Sequence, residues 1–262
     1  MSTADGHAER VRDVFSRQAA AFEDHKHNHA LTQEAAWLFE GLRCGPQDML
    51  LDVAAGTGHA TRALASRVLV AVALDVTEEM MQAGKAGAQQ AGLSNVIFQR
   101  GDALDLPFLD QSFDVVISRF ATHHIERPDI QLAEMARCLR PGGRLALADV
   151  LADEDPEIAR RQNDLERVRD SSHARTLSAA EIVAEMESLG LVQIEVHSRP
   201  VEHRVESWLA RADSPRAAEA VRAQLQADIG GGEPTGLAPF ERDGEMWLTQ
   251  AWGCVRAASL AG

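Results

Sequence analysis

The chain has 262 residues, 45% of them hydrophobic, enough for one large domain with a sizeable core. Asp and Glu total 40 against 26 Lys and Arg, and the formal net charge of -14 argues against a nucleic-acid backbone as substrate. Cys44, Cys138 and Cys254 lie far apart with no Cys-x-x-Cys spacing, so neither zinc nor a disulfide framework is expected, and a reduced, cytoplasmic setting fits. No apolar run approaches membrane-spanning length, roughly 20 residues, and the polar first ten residues are unlike a secretory signal.

In chain order, Val11, Phe15, Ala19 and Phe22 recur at helical spacing, and Leu31, Ala35, Leu38 and Leu42 repeat the pattern. Two helices are expected there, ending near Gly41 and Gly45-Pro46. Residues 49–54 read as a strand, 59–66 as a helix and 68–74 as a second strand. Thr77 is placed to cap the next helix, with Glu78 and Glu79 near its positive end. Residues 95–100 form a third predicted strand. Residues 113–118 form a fourth, almost continuous in apolar residues, as for a strand buried on both faces. Residues 130–139 are helical, Pro141-Gly142-Gly143 is a turn, and 144–150 is a fifth strand. This alternation predicts a doubly wound α/β sheet.

The pattern changes at Asp153. Residues 153–175 are charged, with Ile158, Leu165 and Val168 as apolar anchors, and read as an exposed, lid-like helix. Ser178 with Glu181 has the spacing of a capping box before Ile182, Val183 and Met186. Residues 192–196 are a sixth predicted strand, 200–240 an insertion of helical character, and 245–256 a final strand.

Chemistry concentrates around Leu50-Leu51-Asp52-Val53-Ala54-Ala55-Gly56-Thr57-Gly58-His59. An apolar run meets an acid, a tight Gly-x-Gly turn and a helix start. The next strand ends in Asp75, a carboxylate able to accept hydrogen bonds from both hydroxyls of a ribose, which points to an adenosine-containing cofactor. A nicotinamide dinucleotide fits poorly. The third glycine position of its fingerprint holds Thr61, and the chain has no tyrosine for short-chain reductase chemistry. His123 and His124 follow the fourth strand, where either is placed to abstract a proton or simply to organise the loop. Glu166, Arg169 and His173 lie in the charged segment that could fold over an acceptor; for Glu166 and Arg169, three apart on a helix, a solvated ion pair is the alternative. His25, His27 and His29 lack carboxylate or cysteine partners, so no metal site is expected. Trp208, Trp247 and Trp252 read as packing.

Five ordered blocks carry a resemblance: residues 51–58, 74–80, 101–108, 112–116 and 123–143. Over residues 49–150 the chain resembles class I S-adenosylmethionine-dependent methyltransferases, in particular the small-molecule type 11 group related to the ubiquinone/menaquinone enzymes. The resemblance implies a seven-stranded sheet with a reversed last strand and the cofactor across the strand ends. Asp52, Ala54, Gly56 and Gly58 would then line the methionine end. Asp75 would bind the ribose, and Val76 and Met80 would lie at the adenine. Asp102 would accept from the adenine amino group with Ala103 beside it. Ser118 and Arg119 would lie near the transferred methyl, and Phe22 would contribute an aromatic from a lid. Residues 1–45 would be lid helices and 46–262 the core, with 153–176 and 200–240 capping a small organic acceptor. No nucleic-acid or membrane partner is implied; the insertions are compatible with a homodimer. Residues 166–178 resemble a linker in one branch of the group, whereas the Asn-x-x-Met-Ser-type segment of quinone-modifying members is missing from residues 2–46. Alignment of methyl and nucleophile is worth roughly 7–11 kcal/mol, more than a general base supplies, about 10²–10⁴-fold, so the acceptor side is harder to read than the cofactor side. A member of the fold that binds the cofactor without methylating, or serves as a partner protein, is the alternative.

Overall fold

The computed structural model describes residues 3–22 and 36–261; most of the expected second N-terminal helix, with His25, His27 and His29, lies outside the described residues. The elements are α1 (Thr3–Phe22), β1 (Met49–Val53), α2 (His59–Leu64), β2 (Val70–Asp75), α3 (Glu78–Gln90), β3 (Val96–Arg100), β4 (Phe113–Arg119), α4 (Pro128–Cys138) and β5 (Leu139–Leu151). They continue with α5 (Pro156–Arg169), α6 (Ala179–Ser188), β6 (Val192–Arg204), α7 (Val205–Leu209), α8 (Pro215–Ile229), β7 (Phe240–Arg242) and β8 (Glu245–Ala258).

The sheet runs β3-β2-β1-β4-β5-β8-β6, with β7 added against β8. The pairs β1–β2, β1–β4, β2–β3 and β4–β5 are parallel, and β8 is antiparallel to both β5 and β6. The reversed last strand is therefore present, and the short β7 makes an eighth. Alternation along each strand sends neighbours to opposite faces. Leu51, Leu145 and Leu147 pack with Leu132 and Met135 of α4 and with Ile182 and Met186 of α6. Leu50, Val115, Ile117 and Ala146 pack on the other face with Leu64 of α2 and Leu38 of a short turn at Ala36–Phe39.

Four local expectations need correction. The Pro141-Gly142-Gly143 segment does not separate a helix from a strand but is an irregularity inside β5, where the register shifts between Phe113 and Val115. Gly142 there has φ +73°, which only glycine adopts easily. The sixth strand does not stop at 196: it continues to Arg204, pairing Pro200 with Ala251. Proline is tolerated because β6 is an edge strand, with β8 its one partner. The insertion expected at 200–240 thus begins only after β6. Nor is α5 simply exposed. Leu165 is buried in a third apolar cluster with Val205, Leu209, Val221, Leu225, Leu237 and Leu248, while Val168 points outward and is 42% exposed. Finally, Thr77 stands at the N-cap of α3 but its side chain makes no capping bond, because the hydroxyl is engaged by Asp75.

Parallel strand ends open along one rim. α1 crosses it: the Ser16 hydroxyl donates to Glu79 at the start of α3 (2.9 Å), and His7 Nε2 donates to the His124 carbonyl beyond β4 (2.9 Å). His59 Nε2, in the first turn of α2, donates to the Phe22 carbonyl at the end of α1 (2.9 Å).

Candidate active site

One half of the rim is built by the tips of β1 and β2. Asp52 is buried; its Oδ2 accepts from the Thr61 amide (3.0 Å) and hydroxyl (2.6 Å). Its Oδ1 is buried without a partner. Burial pushes this carboxyl up to about 6, against the Thr61 bonds and the Arg119 charge. Asp75 is also buried, and its two oxygens accept from the Gly56 and Thr77 amides at 2.7 and 2.8 Å. Burial raises its pKa despite those bonds. Each carboxylate oxygen accepts more than one bond, so Asp75 keeps capacity for further donors.

Backbone strain marks the same place. Ala54 has φ +55° and Phe120, just past β4, has φ +51°. A left-handed L-residue costs roughly 1–2 kcal/mol, and both sit at the ends of adjacent strands. A Cβ on Gly56 would meet no atom within 4 Å, so open space lies over the turn. A Cβ on Gly84 of α3 would come within 2.3 Å of the Thr57 carbonyl, so this glycine is what lets α3 pack against the loop. Gly84 was missed by the sequence reading, although a glycine inside a helical pattern is itself a signal of close approach. An orphaned carboxylate oxygen, an open glycine turn and an acid at the second strand tip fit the adenosyl cofactor that the resemblance implies.

The remaining expected cofactor residues lie around this half. Val76 is half-buried and Met80 buried at the start of α3. Asp102 is exposed and its Oδ1 accepts from the Leu104 amide (2.9 Å), holding its own turn, with Ala103 half-buried beside it. Arg119 has its pKa depressed by burial, against the pull of Asp52. Ser118 is fully buried; its hydroxyl donates to the Val53 carbonyl (2.8 Å) and accepts from Gln131 (3.2 Å). Its side chain ties β4 to the tip of β1. Phe22 is half-buried, 6.1 Å from the Phe15 ring.

The other half is assembled from distant segments. His123 Nδ1 lies 2.6 Å from Asp149 Oδ1, and the His123 amide donates to Asp149 Oδ2 (3.1 Å). An ionised carboxylate only accepts, so Nδ1 carries the proton and Nε2 the lone pair. Burial disfavours the charged imidazole, but Asp149, Glu166 and Asp170 together outweigh it and raise the pKa. His124 behaves oppositely. Its Nδ1 donates to the Ser172 carbonyl (3.0 Å), and burial and the neighbouring His123 push it down to about 3. Such an imidazole is a poorer base than His123. His173 Nε2 lies 2.9 Å from Asn163 Oδ1, and burial with the His123 and His124 charges takes it to about 2.

Glu166 and Arg169 are not a solvated pair. Glu166 is buried and Arg169 largely so: Glu166 Oε2 accepts from Arg169 Nε (2.7 Å), Oε1 accepts from Gln250 (3.2 Å), and the guanidinium stacks 4.7 Å over the Trp208 ring. Beyond them, Phe120, Trp252 and His203 form an aromatic row, with centroid separations of 4.7 and 5.4 Å. His203 Nε2 is buried without a partner, and burial depresses its pKa to about 4. Asp149, Gln250 and His203 were missed. Asp149 had a usable signal, since it ends an apolar run as Asp52 and Asp75 do. Gln250 and His203 had none, because only pairing along β8 and β6 brings them to the rim. Among the described residues, no group of three or more His, Cys, Asp or Glu could hold a metal ion, and no helix is long and apolar enough to cross a membrane.

Residues 51–147 match the methyltransferase domain family model. The chain is 33% identical over 201 residues to the uncharacterized methyltransferase YcgJ of Bacillus subtilis, covering 77% of this chain and 79% of that one. It is 32% identical to the uncharacterized protein YafE of Escherichia coli over 65% of this chain and 83% of that one. It is 36% identical to the ubiquinone/menaquinone biosynthesis C-methyltransferase UbiE of Roseobacter denitrificans over 54% of this chain and 59% of that one. The crystal structure of Bacillus YcgJ superposes with a TM-score of 0.77 at 26% identity, covering 91% of this chain and all of that one. With the rim geometry, these likenesses show that the chain belongs to the S-adenosylmethionine-dependent methyltransferase family.

Proposed function

We propose that the rim methylates a small organic acceptor with a protic nucleophile, and that His123 takes up its proton. Asp75 would hold the ribose, Asp52 and the Gly56–Gly58 turn the methionine end, and Asp102, Val76 and Met80 the adenine. S-adenosylmethionine, when bound, supplies a methyl group on a cationic sulfur. The protein's own task is then to position the acceptor, exclude water and handle one proton. The observation that carries the acceptor-side reading is the 2.6 Å His123–Asp149 contact. Asp149 holds Nδ1–H and so fixes the tautomer that leaves Nε2 basic. The imidazolium formed after proton uptake is stabilised by Asp149, Glu166 and Asp170. Glu166, clamped by Arg169 and Gln250, acts as a positioning residue for this charge. α1, the segment after α5, and α7 with α8 would cap the acceptor. The net charge of -14 supports a small molecule over a nucleic acid.

The test is a labelling experiment. The protein, S-adenosylmethionine carrying a labelled methyl group and a fractionated bacterial metabolite extract are combined. Label is expected in a small hydroxylated or enolic compound, with stoichiometric S-adenosylhomocysteine. Label confined to nucleic acid, or transfer to a basic amine with equal efficiency by His123→Gln, contradicts the reading.

A further inference from the structure

A cavity of about 410 Å³ lies on the outer side of the histidine cluster, between α1, the loop after β4 and the segment after α5; His7, Arg10, Arg167, Ser171, His173 and Arg175 line it, with Glu126 its one carboxylate. The methyl-transfer reading takes α1 and the segment after α5 as parts of a cap but gives the cavity itself no role. Its volume falls in the range of small-ligand sites.

The charge of the wall is unlike that of the chain. Three guanidiniums and one carboxylate line it in a protein of net charge -14, with Asp164 and Glu181 paired behind two of the guanidiniums. They come from separate elements. Arg10 projects from α1 and forms no ion pair with any described residue. Arg167 is on α5, its Nε donating to the Ala174 carbonyl (3.1 Å) and its Nη1 to Asp164 (2.9 Å). Arg175 is held by Glu181. Those contacts fix the two guanidiniums against the wall and leave further N–H donors on each, since arginine has five. The floor is buried imidazole: His7 and His173 are only 7% and 4% exposed.

We infer that this cavity is a second binding site, for a small polyanion such as a phosphate ester or a polycarboxylate, and that the bound anion fastens α1 to the segment after α5. Guanidinium forks bind oxyanions through paired N–H bonds, which suits both ligand types. An oxyanion group between Arg10 and the Arg167–Arg175 side bridges the two walls through the N–H donors that Asp164 and Glu181 leave free. His7 stands at the junction, because the same side chain lines the cavity and bonds the His124 carbonyl. A ligand that needs both walls binds only while α1 is seated, so it shifts α1 toward the seated position. Since α1 crosses the cofactor rim, S-adenosylhomocysteine should then leave more slowly.

The experiment is a calorimetric titration of the full chain with inorganic pyrophosphate and, separately, citrate, at constant ionic strength to remove screening differences. Saturable binding is expected, with pyrophosphate the tighter ligand if the site is built for phosphate and citrate if for carboxylate. Saturating S-adenosylhomocysteine should leave the anion affinity undiminished or increase it. Arg10→Glu should weaken binding at least about tenfold, a loss of roughly 1.4 kcal/mol, and Arg10→Gln should weaken it less. The circular dichroism of both variants should match that of the parent. In the parent, the anion should slow S-adenosylhomocysteine dissociation, and in Arg10→Glu it should not. No saturation by either anion at about 100 times the millimolar affinity typical of weak ligands, equal affinity in Arg10→Glu, or displacement by S-adenosylhomocysteine would overturn the inference. None of these outcomes depends on which acceptor is methylated.

Discussion

The two halves of the rim are built differently. On the cofactor side the partners are close in sequence: Asp52 with Thr61 is 9 residues apart, and Asp75 with Gly56 is 19. The donors are mostly backbone amides, set by one strand–turn–helix–strand unit. On the acceptor side His124 meets Ser172 across 48 residues, Glu166 meets Gln250 across 84, and His7 meets His124 across 117. There side chains reach carbonyls and side chains of distant segments. The first half follows from local geometry and changes little with outer decoration. The second exists only once the whole chain has folded, so substitutions there should disturb folding and chemistry together.

The largest expected effect separates the halves most sharply. His123→Gln should lower turnover by about 10²–10⁴-fold, measured as S-adenosylhomocysteine formation, with calorimetric cofactor affinity unchanged. Asp149→Asn should do nearly the same through the lost tautomer control, and a shifted pH–rate profile would distinguish that role from mere support. Gly84→Ala attacks the cofactor side from behind. The added methyl meets the Thr57 carbonyl, and overpacking of this kind costs about 1–3 kcal/mol; urea unfolding should show it, together with weaker cofactor binding.

Asn163→Ala should destabilise by a similar or larger amount. It strands the His173 imidazole and the Thr176 amide, two buried donors that Asn163 Oδ1 serves. Each orphaned group costs about 1–3 kcal/mol, less where the site relaxes. Cofactor affinity in the folded fraction should hold.

A further effect is in pH. Burial pushes His124 and His173 down to about 3 and about 2 in the folded chain, against about 6.5 unfolded. The unfolded chain binds more protons between those values, so stability should fall as pH drops from about 6.5 toward 3. His123 has the opposite sign. Its raised folded pKa contributes stability fully below about 6.5, and that contribution is lost as pH rises through the folded value. Turnover, needing neutral His123, should rise over that same upper window. A urea midpoint that is flat from pH 7 to 4 would contradict the burial of the two acid-shifted rings.

What the sequence disclosed follows the same division. Apolar periodicity located every parallel strand within a few residues, and the Ser178–Glu181 capping box is present as read. Asp52, Gly56 and Asp75 were legible because one short motif contains both the strand tip and its partners. Asp149 was equally placed but belonged to no quoted motif. β6 was cut short because Pro200 reads as a breaker, and only its edge position permits it. Glu166 and Arg169 looked like a surface pair because helix spacing says nothing of Trp208 and Gln250, which arrive from the far end of the chain.

An adenosyl ligand bound at the β1 and β2 tips is the central expectation. Titration of the protein and of Asp75→Ala with S-adenosylhomocysteine, followed by calorimetry, tests this directly. Saturable one-to-one binding is predicted for the parent chain, with affinity reduced at least about tenfold in the variant, as for loss of hydrogen bonds to a charged acceptor worth about 1.5–3 kcal/mol. Equal affinity in the two proteins, or no binding to the parent, would contradict it.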